Sequence, residues 1–150
     1  MTRYRHPFLH RHSLTLTSAA ILALWIVLYR VSNPNTHLGA FYGNAIADWT
    51  GLVVMVLATK FLYERGSAES HKPKVPLPPG LHQFLHDHSL TIFLLISGVG
   101  WVIWYCRVDP MGKWGQVVGN IVSEWTQILG LVLLTKRLLE KGSKESRQRS

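Results

Sequence analysis

The chain has 150 residues with a single cysteine, and its 16 lysines and arginines against 8 acids give a formal net charge of +8. One cysteine, Cys106, excludes an internal disulfide and with it the paired-thiol oxidoreductases. The positive excess does not point to nucleic acid, because the basic residues flank apolar segments and no separate folded module presents them; anionic lipid headgroups are the expected partner.

The first predicted element is a short interfacial elbow at His6-Pro-Phe-Leu-His-Arg-His12, with Phe8 and Leu9 on its buried side. An apolar stretch runs from Leu14 to Val31, predicted as a membrane span over about 14–33. Asn33-Pro34-Asn35 breaks it, since proline and its preceding residue resist helical geometry. Gly39 and Gly43 follow, four apart, a spacing that serves either close helix approach or the turn itself. A second span is expected over about 42–63. It carries one acid, Asp48, about seven residues into the helix, which at 1.5 Å per residue is roughly 10 Å below the surface. Gly66 is expected to stop this helix, with Arg65 placed favourably for the C-terminal dipole. Residues 71–80 then hold four prolines and read as a semi-rigid extended linker.

At His82 the sequence begins again. His6 to Thr15 returns as His82 to Thr91, and Leu62 to Ser70 returns as Leu138 to Ser146, at an offset of 76 residues without a gap. Of the 63 aligned pairs from Phe8/Phe84 to Ser70/Ser146, 25 are identical, which marks duplication of a whole unit. The chain therefore divides into a first two-helix repeat at 1–70, the linker at 71–80, and a second repeat at 81–150. The second repeat has spans expected over about 89–108 and 117–139, a basic tail, and Glu124 at the position of Asp48.

The fold class that follows is all-α and polytopic, with four transmembrane helices arranged as two tandem parallel-repeat hairpins. A soluble four-helix bundle would show an apolar stripe on each helix, whereas Ile21 to Leu28 and Leu129 to Leu134 are apolar all round. A cleaved signal peptide does not explain the first span, because its copy lies inside the chain. Thirteen of the 16 lysines and arginines fall in the N-terminal arm, residues 60–74 and residues 136–149. The positive-inside rule then places both termini and the linker in the cytoplasm, with the bacterial inner membrane as the expected location. Two even-span units share one orientation, so a pseudo-two-fold axis along the membrane normal is expected.

The acid-tryptophan pairs Asp48-Trp49 and Glu124-Trp125, the exit from Glu140 to Ser146, and the helix opening Asp87-His-Ser-Leu-Thr91 resemble a family of small four-helix bacterial membrane proteins. The resemblance covers most of both copies. It implies the four-helix fold and, since no activity is attached to that family, no reaction. The family pattern has a second acid shortly after the tryptophan, where this chain has Thr50-Gly51-Leu52 and Thr126-Gln127-Ile128, and it lacks the histidines found here.

Two sets of residues are candidates for function. Asp48 and Glu124, each with an asparagine one turn earlier (Asn44, Asn120) and with Gln127 on the same face, form a polar stripe that should face the bundle interior. The stripe serves either as a proton or cation relay or as hydrogen-bonded structural glue, with Asn44 to Asp48 and Asn120 to Glu124 as natural partners. The second set is the duplicated His-x-x-x-His-x-His: His6, His10 and His12, then His82, His86 and His88. Pairs four apart could chelate a divalent metal, the one candidate cofactor. They equally suit a pH-dependent contact or interfacial anchoring.

No hydrolase, kinase or dinucleotide signature is present, and no histidine lies within a span to ligate haem, so an enzyme is not expected. A small-ion or proton channel or transporter is the first functional expectation. A non-transporting scaffold or assembly subunit is the second, and metal binding at the histidines the third. A homo-oligomer is left open.

Overall fold

The computed structural model of the protein describes residues 7–71, 78–138 and 143. His6, residues 72–77 of the linker and nearly all of the tail lie outside the described residues. Six helices are present among them: α1 Pro7–Arg11, α2 Ser13–Val31, α3 His37–Phe61, α4 Leu81–Asp87, α5 Ser89–Arg107 and α6 Lys113–Leu134. The four long ones, α2, α3, α5 and α6, are each long and apolar enough to cross a membrane.

Two short helices form where the elbows are expected, with Phe8, Leu9, Phe84 and Leu85 exposed on them. Each ends at a histidine, His12 or His88, whose backbone leaves helical geometry in the same way (φ −117°, ψ 13° and φ −121°, ψ 16°) before the long helix begins. The ring of that histidine lies on the phenylalanine one turn earlier, Phe8 or Phe84, at centroid distances of 4.6 and 4.8 Å.

The second helix of each copy begins earlier than the sequence suggested, at His37 instead of about 42 and at Lys113 instead of about 117. Two causes are visible. Thr36 caps α3, its Oγ1 accepting the Gly39 N–H at 3.1 Å. Gly39 and Gly115 also let the preceding loop press against the helix, for a Cβ at either would stand 2.0 Å from the carbonyl oxygen of Asn33 or Asp109. These two glycines therefore serve the loop. The second of each pair, Gly43 or Gly119, instead receives the ring of Tyr29 or Tyr105, 3.2 and 3.1 Å from where a Cβ would be.

At the other end α3 stops at Phe61 and Leu62 is already extended. Gly66 is not the helix stop expected of it. It takes φ +90° in a turn closed by the Ser67 N–H on the Glu64 carbonyl, several residues into an irregular segment. The equivalent Gly142 lies outside the described residues.

α3 and α6 pack against each other at the centre, α2 covers α3, and α5 covers α6. The core they share includes Tyr29, Ile46, Ala47, Leu90, Leu94, Val117, Ile121, Trp125 and Val132. Outward faces remain apolar, with Leu24, Val27, Ile96, Val99 and Ile103 all exposed. Exposed aliphatic rows of this extent are what a hydrocarbon surround requires and water disfavours.

Candidate functional site

Helix boundaries decide where the acids sit. Asp48 and Glu124 each come eleven residues after the first residue of their helix, so they lie about 16 Å along the axis, not the 10 Å read from sequence. Both are thus near mid-helix. They meet at one cleft of about 230 Å³ between α3 and α6, lined by Asp48, Gly51, Leu52, Met55, Glu69, Glu124, Ile128 and Leu131. The described lining contains three carboxylates and no basic side chain.

Glu124 is half-buried because it lies across Gly51 of the opposite helix, where a Cβ would be 2.7 Å from its Cγ. Asp48 is exposed on the other wall. The repeat position of Gly51 is filled by Gln127, which is also exposed and is not part of the cleft lining, so the expected polar stripe does not include it.

The asparagines do not pair with the acids as anticipated. Asn120 donates its Nδ2 to Asn44 Oδ1, joining α3 to α6 one turn from the acids on the loop side. Beyond them α2, α3 and α6 are tied together. Tyr29 and Val117 both pack on Gly43, the Tyr29 hydroxyl donates to the Lys113 carbonyl, and Lys113 Nζ donates to the carbonyls of Arg30 (3.0 Å) and Ser32. Polar groups therefore line the seam at mid-helix, with hydrogen bonds tying the loop end together and a carboxylate, Glu69, toward the other.

Glu69 belongs to residues 62–71, which form a strap across that end. Its anchor is Glu64, fully buried and absent from the sequence-based candidates. Glu64 forms an ion pair with Lys136, accepts from His88 Nδ1 at 2.7 Å if that nitrogen carries the proton, and accepts the Thr91 N–H in the first turn of α5 at 3.2 Å. Burial by itself pushes the Glu64 carboxyl up. Hydrogen bonds from Lys136, Thr91 and His88, with the Lys136 charge, outweigh it and hold the group below its ordinary 4.5. Around it the Tyr63 N–H donates to Ser89 Oγ at 2.9 Å, the Arg65 N–H to the Asp87 carbonyl at 2.7 Å, and Ser67 shares a 3.0 Å hydroxyl bond with Thr135. The strap of the first repeat is thereby fastened to the second.

The histidines are dispersed. His88 is taken by Glu64, His86 Nδ1 stands 3.7 Å from Asp87, His12 Nδ1 stands 3.4 Å from Lys60 Nζ, and His10 and His82 are exposed. Among the described residues no three metal-ligating side chains gather in a geometry that could hold an ion. The one signal that could have found the strap anchor is the duplication, since Glu64/Glu140 and Lys60/Lys136 are identical pairs in it.

No protein-family model matches the chain, and neither does any curated protein or solved structure.

Proposed function

We propose that the chain is a multi-pass protein of the bacterial inner membrane, with both termini cytoplasmic, that passes protons or a small cation along the seam between α3 and α6. The observation that carries this reading is the cleft lined by Asp48, Glu124 and Glu69. A carboxylate at mid-span costs at least about 2.5 kcal/mol in hydrocarbon, so two at one depth call for water, a proton or a cation in the same cleft. With the strap on the cytoplasmic side, the cleft is reached from the cytoplasm and the Asn44–Asn120 bond stands as its outward barrier.

The two copies serve as parallel repeats about an axis between the central helices, and the basic flanks hold anionic headgroups. The test is flux in liposomes. Asp48→Asn with Glu124→Gln keeps hydrogen-bonding shape but removes ionisation, and it should bring proton and cation flux to the background of empty vesicles. Equal flux from parent and variant would overturn the pathway.

A second reading, a non-transporting scaffold or assembly subunit, draws on the same bond between Asn44 and Asn120 and on the packing of Glu124 over Gly51, which fasten the central helices together. It predicts no flux from parent or variant. Divalent metal binding by His6, His10, His12, His82, His86 and His88 is a third reading, tested by zinc titration at neutral pH.

A further inference from the structure

A groove of about 280 Å³ runs between α5 and α6 on the outer side of the second repeat. Leu95, Val99 and Ile103 of α5 form one wall, each about half exposed, and Val122, Trp125 and Leu129 of α6 form the other. The polar atoms along it are satisfied within the protein. Trp125 donates its Nε1 to Ser97 Oγ at 2.9 Å, and Thr126 donates its hydroxyl to the Ser123 carbonyl at 2.6 Å. The groove therefore offers hydrocarbon to an occupant and no spare hydrogen-bonding group. The duplication shows why it lies in this repeat. Gly98, Val102 and Val122 stand where the first repeat has Leu22, Ile26 and Ile46. Leu22 and Ile26 pack on the core and Ile46 is buried, so larger side chains fill there what smaller ones leave open here. An unfilled apolar space forgoes dispersion contacts, which favours entry of the surrounding hydrocarbon.

Width and charge choose the occupant. The groove follows α5 from Leu94 to Ile103, about 13 Å at 1.5 Å per residue, which gives it a section of roughly 20 Å². A helix about 10 Å across is far too wide for that, whereas an extended hydrocarbon chain is not. The length is also close to one leaflet of a hydrocarbon core about 30 Å thick. One turn beyond Ile103 the row of α5 ends on Arg107, which is exposed and has no ion pair among the described residues. Followed toward the strap, the same row runs from Leu95 through Thr91 to an acid, Asp87. We infer that the groove seats one acyl chain of an anionic phospholipid from the loop-side leaflet, with the lipid phosphate on Arg107. This lipid is separate from those at the basic flanks, which lie at the opposite end of the helices.

Native mass spectrometry of the purified full chain tests the inference, with dioleoyl phosphatidylglycerol as the probe. Dioleoyl phosphatidylcholine and the short-chain dihexanoyl phosphatidylglycerol serve as comparisons. The parent should hold one dioleoyl phosphatidylglycerol per chain more tightly than any further lipid, and the short-chain lipid should not displace it. Gly98→Leu, which restores the residue of the first repeat, should weaken this site about tenfold. A Cβ at position 98 stands 3.3 Å from Trp125 Cδ1, so Val99→Trp, which fills the groove from its exposed rim, is the second variant and should act in the same direction. Arg107→Gln should reduce the preference for phosphatidylglycerol over phosphatidylcholine about fivefold. The inference is overturned if no such single site exists, if the short-chain lipid competes equally, if both groove variants bind as the parent does, or if Arg107→Gln leaves the preference unchanged. A dimer that both groove variants dissociate would assign the groove to a second copy and overturn it as well.

Discussion

Glu64 and Glu124 are both glutamates of an apolar helical bundle, and their surroundings differ in nearly every respect. Glu64 has a lysine, a histidine and a helix N–H on its two oxygens and is fully enclosed. Glu124 lies across a glycine beside Asp48, in a cleft whose described lining has no cation. An acid whose charge is met by protein groups holds the fold together, and it has little capacity left for anything else. An acid whose charge is not met by its surroundings must find a proton, water or ion, which suits it to transfer. Sequence position follows this division, for Glu64 sits in the strap beyond α3 while Glu124 sits near the middle of α6.

Breaking the first site should have the largest effect. Lys136→Met leaves the buried Glu64 carboxylate without its main counter-charge, and loss of one partner of such a pair costs about 3–5 kcal/mol. Thermal unfolding in detergent should show a clearly lower midpoint. A midpoint equal to the parent's would mean that the strap contributes no stability.

Next in size is overpacking at the cleft. A side chain at Gly51 meets Glu124 Cγ at 2.7 Å and Ile128 Cδ1 at 3.1 Å, so Gly51→Val should destabilise by about 1–3 kcal/mol and displace Glu124. The same unfolding assay reads the first effect, and liposome flux the second.

Acid should separate the two sites further. Because the Glu64 carboxyl is held below its ordinary 4.5 in the folded chain, its contribution is complete above that value and is lost as pH falls through the lower folded value. Stability should therefore be flat near neutrality and decline below about pH 4.5, and Glu64→Gln should flatten that acid limb at a lower plateau. An unchanged acid limb in the variant would remove Glu64 as its source.

The smallest stability effect belongs to the second site. Asp48→Asn with Glu124→Gln should shift unfolding by only about 0.6 kcal/mol per residue changed, the average for a polar contact within a membrane bundle.

Much of the architecture was legible because it depends on local pattern. Four apolar stretches, their breaks at Pro34 and Pro110, and the acids at equivalent positions all appear as helices and shared cleft. The starts of α3 and α6 were not legible, since Gly39 and Gly115 resemble turn residues and their purpose appears only when the Asn33 and Asp109 carbonyls are placed against them. The asparagines were assigned to partners on their own helix, and pairing across the seam depends on the meeting of α3 and α6 that no periodicity encodes. The strap was hidden for the same reason. Glu64 and Lys136 belong to different repeats, and only their duplicated identity hinted that both mattered.

The central claim is that water enters the seam as far as the two acids from the strap end. Thiol accessibility measures it directly in sealed vesicles of the Cys106→Ser chain. Asp48→Cys is compared with Leu24→Cys, which lies mid-helix on the exposed apolar face of α2. A small membrane-impermeant thiol reagent applied on the strap side should label position 48 readily, leave position 24 unlabelled, and label neither from the loop side. Labelling of position 48 no faster than position 24 from the strap side would contradict the account.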